Sequence, residues 1–183
     1  MFEKGFMKKM KNQSNIILKS RFLRSLSPLQ RYEFLQLCHR RKYKEGEYIY
    51  YQNDPGTGMY FIENGRVQLI VETTLDDPAK GELTYDLSPP ESFGALSIGY
   101  ELRRMSSARC LTDCILLGFF KPDFETLKKR HPEIAVKFLE TVSTVAMKQL
   151  EKTTRKLAEV ADTHTAFSLQ FTTYYEDEEK EEI

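Results

Sequence analysis

Residues able to carry covalent or metal chemistry are few in this chain, and none is spaced to use it. The histidines are His39, His131 and His164. They fall in segments read as helix or tail and form no pair, whereas a metal centre on a β-scaffold needs clustered His and carboxylate ligands on strands. No Gly-x-Ser-x-Gly elbow, no Ser-His-Asp or Cys-His arrangement and no Walker loop occurs. Asp76-Asp77 and the C-terminal acids lack the spacing of a calcium loop. The cysteines are Cys38, Cys110 and Cys114, with no CxxC. Cys110 and Cys114 lie in a strand-like run, roughly 13 Å apart at extended spacing and beyond disulfide reach. All three read as reduced core residues of a cytoplasmic protein. The chain is therefore expected to be non-catalytic, with no metal and no cofactor.

The elements behind this chemistry come in three blocks. Residues 14–39 are helical in pattern, with Ile17, Leu18, Phe22, Leu26, Leu29, Phe34, Leu35 and Leu37 at helical spacing. Ser27-Pro28 restarts that helix, serine as N-cap and proline at the first position. From residue 40 to 120 the period changes to short aromatic and β-branched runs: YIYYQ, MYFIE, RVQLIVET, ELTYDL, SSARCL and CILLGFF. Turn residues separate them, among them Asp54-Pro55-Gly56, Asp76-Asp77-Pro78 and Asn64-Gly65, the last a hairpin signal because that turn needs φ > 0. Arg40-Arg41-Lys42 reads as an exposed patch at a barrel corner. Several short strands at this spacing predict an antiparallel sandwich or barrel. The helical period then returns as a short helix over about 122–130, a break at His131-Pro132, and a long helix over about 133–161. Phe138, Leu139, Val142, Val145, Ala146, Leu150, Leu157, Val160 and Ala161 form its apolar stripe. At roughly 43 Å it outruns a small barrel, so residues 133–161 are expected to meet a second copy in a homodimer.

Charge excludes little by itself, because 27 basic and 27 acidic residues cancel. They are unevenly placed: residues 1–24 carry Lys4, Lys8, Lys9, Lys11, Lys19, Arg21 and Arg24 against Glu3 alone, and residues 176–183 read EDEEKEEI. Both ends read as solvated segments, with protein contact the alternative. No apolar run approaches the about 18 residues of a membrane span, and no secretory signal opens the chain. The expected organisation is a basic extension over 1–17, one domain over 18–162 and an acidic tail over 163–183.

Residues 44–69 read KEGEYIYYQNDPGTGMYFIENGRVQL. With Gly46, Ile49, Gln52, Asp54-Pro55-Gly56, Tyr60-Phe61, Gly65 and Val67, this resembles the hallmark of the cyclic-nucleotide-binding domain family. The resemblance covers about residues 18–160. It implies a mainly β fold, an antiparallel barrel or jelly roll with N-terminal helices and a long C-terminal helix, acting as a sensor or regulatory module. In that family function rests on a phosphate-binding cassette, and residues 91–110, ESFGALSIGYELRRMSSARC, are similar to it. Phe93 and Gly94 match its start. Arg104 stands at the usual separation, with Arg103 one residue away, and Ser106 and Ser107 take the small-residue positions. A cyclic phosphate needs inward backbone amides and a fixed guanidinium. The resemblance implies Gly94 with the amides of Ala95, Leu96 and Ser97 as the cradle, Arg104 as the charge, and a hydroxyl from Ser106 or Ser107.

One position departs from the pattern. Nucleotide-binding members carry a glutamate after Phe-Gly that accepts a bond from the ribose hydroxyl, and here the residue is Ala95. Loss of such a bond costs about 1.5–3 kcal/mol. Thr153-Thr154 on the long helix matches a hydroxyl doublet that contacts the base in catabolite-activator-like members; surface threonines are the plainer account. The ligand implied is cyclic AMP, cyclic GMP or a similar phosphate. The competing reading is an interaction scaffold with a degenerate pocket, binding a protein partner, and a third is a regulatory partner of a separate DNA-binding protein. Direct nucleic-acid binding is not expected, since AFSLQFTTYYEDEEKEEI after the long helix is too short and acidic for a recognition helix.

Overall fold

The computed structural model describes residues 19–72, 83–98 and 102–172. Two compact units are present, residues 1–142 and residues 143–183. In the first, helix α1 (Pro28–Gln36) precedes strands β1 (His39–Tyr43), β2 (Tyr48–Tyr50), β3 (Gly58–Asn64), β4 (Val67–Val71), β5 (Leu83–Leu87) and β6 (Ser92–Phe93). A short 3-10 helix (Ala95–Ile98), β7 (Ser107–Cys110), β8 (Cys114–Phe120), helix α2 (Lys121–Arg130) and the long helix α3 (Pro132–Val160) follow, and α4 (Thr163–Thr172) comes last.

The strands form two antiparallel four-stranded sheets, β1-β8-β3-β6 and β2-β7-β4-β5. This is a jelly-roll sandwich, as expected for the fold class, but the sheets do not close into a barrel. All six of the aromatic and β-branched runs become strands. Asn64-Gly65 is not a hairpin, because β3 and β4 belong to different sheets. It is a corner at which the chain changes sheet. Gly65 has φ +91°, and a Cβ there would lie 2.5 Å from the Asp113 carbonyl and 2.6 Å from Cys114 Sγ. Only glycine satisfies both conditions.

Ser27 caps α1 as expected: its hydroxyl accepts from Gln30 N at 3.3 Å, while its own amide donates to Gln30 Oε1 at 3.0 Å. The helix stops earlier than the periodicity predicts. His39 opens β1 rather than closing a helix, and its Nε2 lies 3.0 Å from Asp123 Oδ1. Arg40-Arg41-Lys42 is exposed, as read, but within this edge strand rather than at a corner. Charge on an open edge discourages pairing with another chain.

Sheet β1-β8-β3-β6 is covered on both faces. Met59 and Phe61 of β3, with Leu117 and Phe119 of β8, pack against Phe34, Phe124, Leu127, Ile134 and Phe138 of the helices. Their neighbours Tyr60, Ile62 and Leu116 point the other way and meet Val67, Phe93, Ala108 and Cys110 between the sheets. Alternation along a strand sends successive residues to opposite faces, so one strand feeds both cores.

Helices α2 and α3 fall within a residue or two of their expected bounds. In the second unit, α4 was not anticipated; the sequence reading placed residues 163–183 in a tail. Asp162 caps it, accepting from Thr165 N at 2.8 Å. Ala166 and Thr154 are buried there, beside an open groove of about 580 Å³ lined by Met147, Leu150, Thr154, Ala158 and Phe167 among others. Among the described residues no helix is long and apolar enough to cross a membrane, and no three metal-ligating side chains cluster. The basic residues before Lys19, Asp76-Asp77-Pro78 and the acidic segment 176–183 lie outside the described residues.

The cysteine spacing needs correction. Cys110 ends β7 and Cys114 begins β8, with a turn between them, so the thiols are hydrogen-bonded rather than held apart by extended chain. Both are free and buried. Burial, then the bond to Cys114, pushes the Cys110 thiol from its ordinary 9.0 up to about 12. The fold thus favours the neutral thiol, while an unfolded chain ionises near the ordinary value. This contribution is constant below about pH 9 and is lost as pH rises from there toward about 12. Urea unfolding of the wild type and Cys110→Ala across that window should show the wild type losing more stability per pH unit; equal slopes would refute the assignment.

Candidate ligand-binding site

Asp54-Pro55-Gly56 positions the cassette by backbone pairing. Arg104 N donates to the Asp54 carbonyl at 2.9 Å, Asn53 N donates to the Arg104 carbonyl at 2.8 Å, and Gly56 N donates to the Leu102 carbonyl at 2.9 Å. Asp54 fixes its own turn by accepting from Tyr51 N at 2.8 Å. Gln52 N donates to Ser107 Oγ at 2.9 Å. The hallmark turn is therefore a splint for residues 102–107.

Held this way, Arg104 points inward and is only 5% exposed. Its Nη2 donates to the Gly58 carbonyl at 2.7 Å and its Nη1 to Ser97 Oγ at 3.2 Å. The guanidinium carbon lies 4.2 Å from the Tyr50 ring centroid. Its Nε is buried without a hydrogen-bond partner, and among the described residues no carboxylate pairs with it. Arg103 instead donates to the Asn53 carbonyl at 2.8 Å. Of the two arginines, Arg104 is buried and Arg103 exposed. A buried cation lacking a counter-charge carries a desolvation cost of several kcal/mol, which an anion would offset.

Gly94 makes room for it. Its φ is +79°, and a Cβ would lie 2.5 Å from Arg104 Nη1 and 3.0 Å from the Gly58 carbonyl. Phe93, just before, stacks on Tyr60 at 5.4 Å and tilts against Tyr50 at 6.0 Å, forming an aromatic wall between the sheets. Burial pushes the Tyr50 phenol above its ordinary range; the Arg104 charge and a bond with Ser106 pull it down less.

The other expected site residues divide. Ser97 acts through its hydroxyl on Arg104, while its amide turns back to the Gly94 carbonyl at 3.3 Å. Ala95 and Leu96 pack against the helix-side core. Ser106 bonds Tyr50, whereas the Ser107 hydroxyl is buried and engaged by Gln52. Met105, between Arg104 and the serines, is 81% exposed. Thr153 and Thr154 belong to the helical unit, Thr153 exposed and Thr154 buried, so the surface reading fails for Thr154.

Tyr50 and Gly58 were not singled out as site residues. Gly58 acts through a carbonyl, which has no side-chain signature. Tyr50 is hidden by a register shift in β2: Tyr48 pairs with Arg109 but Tyr50 with Ala108. Simple alternation would put Tyr48 and Tyr50 on one face. Adding a methyl at Gly94 should displace Arg104. Gly94→Ala is expected to lower stability by about 1–2 kcal/mol or more, from positive φ and the clash. An unchanged urea midpoint would contradict the geometry.

Comparison with known proteins gives the site a lineage. Residues 40–131 match the model of the cyclic nucleotide-binding domain. The chain is 35% identical over 101 residues to the cyclic AMP receptor protein of Thermus thermophilus, covering 55% of this chain and 45% of that protein. It is 25% identical over 134 residues to human cGMP-dependent protein kinase 2, covering 70% of this chain but 16% of the kinase. The chain thus spans less than half the length of these relatives. Among solved structures, the Thermus thermophilus catabolite activator protein superposes with TM-score 0.67 at 27% identity, covering 78% of this chain and 63% of that one. The N-terminal domain of a Streptomyces coelicolor transcriptional regulator does so with TM-score 0.65 at 22% identity, covering 74% and 94%. With its family match spanning the sandwich and Arg104, this chain belongs to the cyclic nucleotide-binding domain family.

Proposed function

We propose that this protein is a non-catalytic regulatory module that takes a cyclic nucleotide, or a similar phosphate, through Arg104. The observation that carries the reading is a guanidinium buried without a counter-charge among the described residues, its Nε unpartnered, beside a glycine that leaves space for it. The named activities of the relatives, a cyclic AMP receptor and a cGMP-dependent kinase, support cyclic AMP or cyclic GMP as the ligand class. The sugar side is weaker. Ala95 offers no acceptor and packs into the core, so the ribose makes no charged contact there.

That same residue favours a second reading, an interaction scaffold whose pocket has lost its ligand. Titration calorimetry with cyclic AMP and cyclic GMP separates the two. Binding is expected for the wild type and lost in Arg104→Ala. No heat with either nucleotide up to millimolar concentration would leave the scaffold.

The long helix supports a further reading, a homodimer formed through residues 133–161. Leu139, Met147, Leu150 and Val160 on α3 are exposed apolar residues, a stripe that a second copy would cover. Light scattering coupled to size exclusion should report twice the 21.4 kDa chain mass. A clean monomer at tens of micromolar would end this reading.

A further inference from the structure

We propose that Tyr50 is a positioning residue for Arg104, fixing the plane of its guanidinium and so setting where the unpartnered Nε points. The inference rests on the reading of Arg104 as the anion-binding cation.

The argument is geometric. Arginine has a long, rotatable side chain, and here its two terminal nitrogens are tied at Gly58 O and Ser97 Oγ. Two ties define an axis. Tilting about that axis is soft, because hydrogen bonds tolerate broad angular variation at their acceptors. Such a tilt would swing Nε, which lies off the axis. A ring face 4.2 Å from the guanidinium carbon is the third constraint that removes this freedom. It also attracts the cation, which an aliphatic side chain in the same place would not.

Tyr50 is itself braced. Its side chain bonds Ser106, and the rings of Phe93 and Tyr60 lie 6.0 and 6.3 Å from it. The register shift in β2 is what turns it inward. Each part of the arrangement points at one outcome, a buried Nε–H held in a fixed direction.

The experiment compares Tyr50→Leu and Tyr50→Phe with the wild type, by titration with cyclic AMP and by the proton resonance of the Arg104 Nε–H. Tyr50→Phe keeps the ring and should bind within about twofold of the wild type, whereas Tyr50→Leu should bind on the order of tenfold more weakly. In the ligand-free wild type and Tyr50→Phe, ring current should place the Arg104 resonance upfield of that of Arg103, and Tyr50→Leu should abolish the displacement. Equal affinity in Tyr50→Leu, or a resonance that does not move, overturns the proposal. Should Tyr50→Leu fail to fold, equal Arg103 and Arg104 shifts in the wild type overturn it without any variant. If the wild type takes up no nucleotide, the functional reading falls, while the ligand-free resonances still decide the clamp.

Discussion

The structure depends on the pairing of β3 with β8, two strands buried on both faces. Because side chains alternate, the same two strands that anchor the helices through Met59, Phe61, Leu117 and Phe119 hold the inter-sheet core through Tyr60, Ile62 and Leu116. Neither core can shift without the other. The Arg104 site is attached to this pair directly. Gly58, the first residue of β3, supplies the carbonyl that receives Nη2, and Phe93 of β6, paired with Tyr60, leads into Gly94. A buried guanidinium needs acceptors that do not move, and the backbone of a strand packed on both sides provides one.

The hallmark turn serves the same end from the other side. Asn53, Asp54 and Gly56 use backbone groups to align residues 102–104, and Gln52 engages Ser107. A motif that reads as a fold signature is therefore also the support of the site. Its peptide groups hold the backbone of Arg104 in place.

Much of this was legible in the sequence. The period change at residue 40, the six strand-like runs and the break at His131-Pro132 located the sandwich and its flanking helices, because burial imposes periods of two and 3.6. Phe93, Gly94 and Arg104 come forward only through the resemblance of residues 91–110 to the family's cassette. What escaped depends on pairing that no local pattern encodes. Asn64-Gly65 has hairpin chemistry, yet the next strand pairs in the other sheet. HRRKY lacks apolar alternation because it lies on an exposed edge. The Cys110–Cys114 separation was overestimated because a tight turn intervenes. The short helix α4 has no apolar stripe to announce it.

The charge of Arg104, unpaired among the described residues, has a thermodynamic side. Replacing buried ionic groups by well-packed apolar ones is often neutral or stabilising. A chain selected for stability alone would therefore tend to fill this space with an apolar side chain, and Tyr50, Phe93 and Tyr60 already surround it with the means to do so. Retaining arginine there carries a desolvation cost that an apolar side chain would not. If the proposed function holds, occupancy by an anion would offset that cost, making the resting molecule the strained member of the pair and the loaded one the relaxed member.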